Sequence, residues 1–388
     1  MKQNTILLHF SYISLLFLLA ATNILAQNKT DKAKFFDTFS FQATFYQGRI
    51  WQHTPNFKPD VTESTQMYEF SLTQDTKGRE LWQQLHKYPT LSASFLYADF
   101  GDKAVFGSAY ALFPALSFST RKKRLNFHYR IGLGLAYVTQ HYDAIDNAIN
   151  NVIGSHLNNI TNIMVALDWK IRPQIRLLAT ASFTHFSNGK VQMPNLGINV
   201  PAYGLALKYY PKRSSIATTK DLRITLESKR SFLDKKNRLT LKLGHGFNEA
   251  LQSNGAKYSV FVGEIYASRR MNLKWRLLLG AEANYYMVLH HYIFNEVAFQ
   301  EKEEWKALKI AAFTGAEVFF GNFSTIFTSG YYLYNPFQKR GPIPTKIGLQ
   351  YHVFSPYERN NQLLFIGVYL KAHISNADYI ELGMGYTF

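Results

Sequence analysis

The chain has 388 residues, of which 43 are Lys or Arg and 26 are Asp or Glu, for a formal charge of +17; it holds 31 Phe, 25 Tyr and no cysteine. The missing thiols exclude a disulfide framework, a thiolate metal site and a cysteine nucleophile. Such a basic balance would suit nucleic acid, but only in a chain that stays where nucleic acid is found.

The first segment sends it elsewhere. Residues 1–26 carry one charge, Lys2, then an apolar run from Ile13 through Leu19 and small residues ending at Ala26. This pattern predicts a secretory signal peptide, its apolar core being short for a membrane span of about 20 residues. The mature chain is then 27–388, and nucleic acid drops out as a partner. No cysteine follows the cleavage point to carry a lipid anchor. Beyond it no apolar segment is long enough for a transmembrane helix, whereas Tyr and Phe are abundant. That combination predicts membrane-crossing strands.

Strand-like segments run near 37–53, 65–74, 88–98, 105–120, 125–140, 158–170, 173–187 and 199–211, with a brief helix at Arg79–His86. A second series runs near 221–228, 236–247, 256–268, 272–289, 306–320, 322–335, 344–354, 362–373 and 378–388. Phe127, Tyr129, Ile131, Leu133, Leu135 and Tyr137 alternate with His128, Arg130, Gly132, Gly134 and Ala136, so aromatics bracket aliphatics on one face, as in a girdled barrel strand. Gly132 and Gly134 lie inside that strand without a third glycine at dinucleotide spacing, and read as tight packing in a barrel.

The fold expected is all-β: a transmembrane antiparallel β-barrel of about 14–16 strands over residues 27–388. The second series holds one strand too many for an even count. The alternative is an eight-stranded barrel over residues 36–211 and a second barrel half over 221–388, with the break between Pro211 and Asp221. Long segments at 53–64, 141–157 and 188–198 belong at the outer end, and the short Lys170-Ile171-Arg172-Pro173 at the periplasmic end. The strand from Pro173 to Ser187 then runs outward.

Along that strand Ile175, Leu177, Ala179, Ala181 and Phe183 form an apolar row, which His185 and Ser187 continue. A histidine and a serine two residues apart, where hydrocarbon gives way to headgroups, are a candidate general base and nucleophile aimed at lipid. Asn188-Gly189 behind them also reads as a plain turn. By parity Asn199 falls on the outward row of the next strand, with Pro201, Tyr203, Leu205 and Leu207, so His185, Ser187 and Asn199 are expected to face lipid on one hairpin. Ser155-His156 reads as solvent-facing loop. His290-His291 near Glu296 have the donors for a metal, but adjacent histidines in a barrel loop more often do nothing specific, and no metal site or cofactor is expected.

At the C-terminus Ile380, Leu382, Met384, Tyr386 and Phe388 alternate with Glu381, Gly383, Gly385 and Thr387. A last strand ending in Phe resembles the recognition signal of bacterial outer-membrane barrel proteins, which implies insertion by the barrel-assembly machinery. Basic clusters at Arg121-Lys122-Lys123-Arg124, Lys212-Arg213, Lys229-Arg230 and Lys235-Lys236 are then either solvated turns or contacts to phosphorylated glycolipid and other outer-membrane lipids.

His185-Phe186-Ser187-Asn188, Pro194-Asn195 and Gly197-Ile198 together resemble the active-site signature of the outer-membrane lipid A 3-O-deacylases, a family of β-barrel serine esterases. The small barrels of that family correspond to about residues 36–211, and longer relatives labelled acyloxyacyl hydrolases resemble the whole length. The resemblance implies a lipopolysaccharide substrate, Ser187 as nucleophile, His185 as general base, and Asn195 beside the oxyanion, with Asn188 and Gly189 as adjoining candidates. Where the family places a glutamate this chain has Asn199, which can orient the imidazole but not neutralise its charge. Two functions are expected to compete: an esterase removing an acyl chain from lipid A, and a non-catalytic barrel, either a pore or a degenerate relative.

Overall fold

Alternation at a period of two puts one row of each segment outward and one inward, and the structure follows it strand by strand. The computed structural model describes residues 39–120, 124–211, 237–249, 255–295, 303–336, 343–357, 363–373 and 376–388. The leader expected at 1–26, the strand expected at 221–228 and all of the basic clusters except Arg124 lie outside the described residues.

Eight antiparallel strands, β1 (Phe39–Gly48), β2 (Thr65–Asp75), β3 (Thr90–Asp99), β4 (Ser108–Ser119), β5 (Leu125–Val138), β6 (Leu157–Lys170), β7 (Ile175–Ser187) and β8 (Ile198–Tyr209), close into a barrel. The closing pair is β1 with β8, Phe45 opposite Leu205. A second barrel contains β9 (Asn237–Glu249), β10 (Lys257–Arg270), β11 (Trp275–Tyr286), β12 (Leu308–Phe320), β13 (Phe323–Tyr334), β14 (Pro344–His352), β15 (Leu363–His373) and β16 (Asn376–Thr387). It closes where Gly383 of β16 faces Gly244 of β9.

The single barrel of 14–16 strands is therefore corrected to the two-barrel alternative. Strand β8 hydrogen-bonds back to β1 instead of on to β9, and an eight-stranded closure already leaves no free edge. The second barrel closes with eight described strands, β9 to β16. The helix expected at Arg79–His86 is present as α1 (Leu81–Leu85), and a second, α2 (Met287–Asn295), follows β11.

Inward side chains occupy both lumens, and in the first they leave a polar cavity bordered by Gln42, Thr73, Ser92, His128, Arg130 and Lys208. In the first, Arg130 clamps Glu69 through two bonds of 2.5 and 2.7 Å and reaches Asn162 Oδ1 at 2.8 Å, while the Tyr46 hydroxyl donates to the same carboxylate at 2.7 Å. Towards the end carrying β7's last residues the lumen turns apolar, with Met67, Leu96, Phe100, Phe106, Phe186 and Val200 buried together. In the second barrel Lys242 bridges Glu264 (2.8 Å) and Glu381 (2.7 Å), and Lys346 reaches Glu264, Glu381 (2.8 Å) and Glu282 (3.1 Å).

The barrels touch at both ends. At the short-turn end, His86 Nε2 lies 2.9 Å from Phe319 O, its ring 4.5 Å from that of Phe320. At the long-loop end, Met193 N–H donates to the Glu249 carboxylate, and Gly189 lies against Ile380 and Leu370.

Candidate active site

Strand β7 carries the polar residues out of the hydrocarbon row. Leu177, Ala179 and Ala181 are exposed on its outer face, Phe183 and His185 are half-buried, and Ser187 is only 9% exposed. The outward parity expected for the site holds, but open exposure to lipid does not. Loop residues after β1 cover it: Trp51 N–H donates to Asn199 O at 2.8 Å, and the Trp51 ring meets Phe183 edge-on at 6.4 Å.

Register brings the expected residues together. His185 sits directly opposite Asn199 on β8, and its Nδ1 lies 2.6 Å from Asn199 Oδ1. An amide oxygen only accepts, so His185 carries its proton on Nδ1 and keeps the Nε2 lone pair free. Ser187 lies two residues on along the same face, a Cα separation of about 6.6 Å at strand rise. Its Oγ accepts the Gly189 N–H at 3.2 Å, within a turn that Gly189 enters at φ +63°.

The loop from 188 to 197 is braced from within. Asn195 Oδ1 accepts the Asn188 N–H at 3.1 Å, and the Asn188 amide donates to Gln192 O at 2.8 Å and to Ser155 Oγ at 3.0 Å. Ser155 was expected to face solvent and instead anchors this loop, donating in turn to Leu157 O at 3.0 Å. His156 stacks on Tyr137 with ring centroids 5.1 Å apart, its Nδ1 2.8 Å from Val138 O. Gly197 has a chemical reason to be glycine: its φ is +83°, and a Cβ there would stand 2.6 Å from His185 Cε1.

Three further residues escaped the sequence reading. Asn199 Nδ2 lies 3.0 Å from His53 Nδ1, a contact across 146 positions that no motif announces. Asn159 and Thr161 on β6 face Ser187 and His185 in register, so polar groups replace hydrocarbon at one level on adjacent strands. That coincidence of level was the available signal. His290 and His291 lie on α2, while Glu296 is outside the described residues.

The fold and the matched stretches define the class, closed eight-stranded β-barrels that match families named for hydrolases. Residues 66–209 match the family described as lipid A 3-O-deacylase, and residues 237–388 match that described as acyloxyacyl hydrolase, C-terminal domain. The two matches fall one on each barrel, and the chain belongs to the lipid A 3-O-deacylase and acyloxyacyl hydrolase family. Among solved structures it is similar to the outer membrane enzyme PagL, at 17% identity over 43% of this chain and 98% of that one, with a TM-score of 0.29. It is also similar to the N-terminal β-barrel domain of Pseudomonas aeruginosa OprF, at 15% identity over 44% and 97%, with a TM-score of 0.27. No curated protein matches the chain.

Proposed function

We propose that this protein is an outer-membrane serine esterase that removes an ester-linked acyl chain from lipid A of lipopolysaccharide. One observation carries the reading: His185 and Ser187 end the outward row of β7 while Asn199 holds His185 Nδ1 at 2.6 Å. With that nitrogen protonated, Nε2 is the base for the Ser187 hydroxyl.

Ser187 Oγ attacks the ester carbonyl as His185 Nε2 takes its proton, and a tetrahedral oxyanion forms. The Gly189 N–H, already directed at Ser187 Oγ, is one donor for it. The Asn195 carboxamide has its oxygen committed to Asn188, leaving its NH2 as the second donor. His185 returns the proton to the departing sugar oxygen, leaving an acyl-serine. Water, deprotonated by the same imidazole, then releases the fatty acid and restores Ser187.

The long-loop end lies at the outer leaflet in this reading, with strands inserted by the barrel-assembly machinery. Mass spectrometry of lipid A from cells with and without the protein tests it. Loss of one ester-linked acyl chain only when the protein is present is expected; identical lipid A in both would favour the non-catalytic relative.

A further inference from the structure

His53 stands behind the residue at which the chain leaves its family. A carboxylate at position 199 would accept a proton with either oxygen, so it needs no orienting. An asparagine has one acceptor and one donor end, and the two ends demand opposite tautomers of His185. With Oδ1 toward Nδ1, His185 keeps Nε2 as a base; with the amide turned over, Nδ2 would donate to Nδ1 and force the proton onto Nε2, leaving no free lone pair for the Ser187 proton. Something must choose between them.

Asn199 itself is 8% exposed, so water does little to decide its rotamer. Its Nδ2 lies 3.0 Å from His53 Nδ1, which accepts when the neutral ring carries its proton on Nε2. That nitrogen is also 3.2 Å from Trp51 O, the acceptor to which it would turn if it held the proton instead. The ring's direction is fixed by packing: it meets Trp51 and Phe57 edge-on, at 6.1 Å in each case. Trp51 N–H in turn bonds Asn199 O at 2.8 Å, tying this loop to the strand it serves.

We propose that His53 is a positioning residue: it accepts the Asn199 amide and so sets the tautomer of His185. The inference rests on the esterase reading and substitutes for the fixed polarity of a carboxylate. Its test is a double-mutant cycle in the full-length, refolded protein with lipopolysaccharide in detergent micelles as substrate. His53→Ala is expected to lower kcat about tenfold with KM unchanged, because the turned-over amide presents an unproductive tautomer. His53→Gln, whose side-chain oxygen can accept the same N–H, is expected to recover most of that loss.

In an Asn199→Glu background, where orientation no longer matters, His53→Ala is expected to change kcat less than twofold. Nitrogen-15 spectra of the His185 ring supply a readout independent of turnover, moving from the Nδ1–H tautomer towards a mixture in His53→Ala. An equal loss in both backgrounds, or an unaltered His185 tautomer in folded His53→Ala, overturns the inference. An inactive wild type with the expected tautomer shift would instead sink the esterase reading and leave the positioning role standing.

Discussion

The two barrels have the same strand count, and the same tetrapeptide pattern ends their seventh strands. His185-Phe186-Ser187-Asn188 closes β7, while His373-Ile374-Ser375-Asn376 runs from β15 into β16, with Ile374 and Ser375 outside the described residues. In β7 the histidine continues the outward row. In β15 the outward row is Leu364, Ile366, Val368 and Leu370, and His373 continues the inward row of Phe365, Gly367, Tyr369 and Lys371. There its Nε2 lies 2.8 Å from the Tyr332 hydroxyl and its Nδ1 4.0 Å from Asp378 Oδ2. One residue of parity thus separates a histidine on the outer face of its barrel from one in the lumen. A His-x-Ser-Asn pattern is therefore not a site by itself; the row it falls on, and a loop that covers it, make it a candidate.

The largest expected effect tests that contrast directly. Ser187→Ala should lower deacylation by about 10⁴-fold or more, the size of nucleophile loss in serine hydrolases, whereas Ser375→Ala should leave the rate within twofold. Both variants should keep heat-modifiable migration on gels, since losing one hydroxyl costs little. Equal losses in the two would mean that the second barrel holds a working site.

The lumens differ in how charge is shared. Among the described residues Arg130 is the one cation bonded to Glu69, so Arg130→Met leaves a buried carboxylate and should cost about 3–5 kcal/mol. Lys242→Met should cost roughly half as much, because Glu264 and Glu381 retain Lys346. Urea unfolding followed by tryptophan fluorescence in micelles measures both, and the reverse order would contradict the sharing described above.

Asn199→Glu places a carboxylate where the family resemblance implies one. A carboxylate opposite His185 stabilises the imidazolium formed during attack, and a gain of about 2–3 kcal/mol in the barrier corresponds to roughly 30- to 150-fold in kcat. A folded variant with an unchanged or lower rate would show that an amide at 199 already does all that the reaction needs.

The smallest effect joins the two barrels. Ile380 backs Gly189, whose N–H faces Ser187, so Ile380→Ala should slow turnover by about threefold, a loosening on the order of 0.6 kcal/mol. Met384→Ala, on the same outward row but away from the loop, is the matched control. Indistinguishable rates would mean that the second barrel does not steady the nucleophile turn.

The residues themselves determined the all-β architecture, because a period-two alternation in segments of about ten residues suits no other membrane-crossing structure. They also determined that His185, Ser187 and Asn199 would share one face of one hairpin, since parity and a short separation leave little freedom. Closure was a different matter. Whether β8 returns to β1 or continues to β9 is set by which edge it meets, and both choices bury the same inward rows and pair the same backbone groups. The cover over the site was equally invisible: His53 reaches Asn199 across 146 positions through a loop whose path depends on packing of Trp51 against Phe183. Local pattern specifies the direction in which a side chain points, and only the closed tertiary structure decides what stands in front of it.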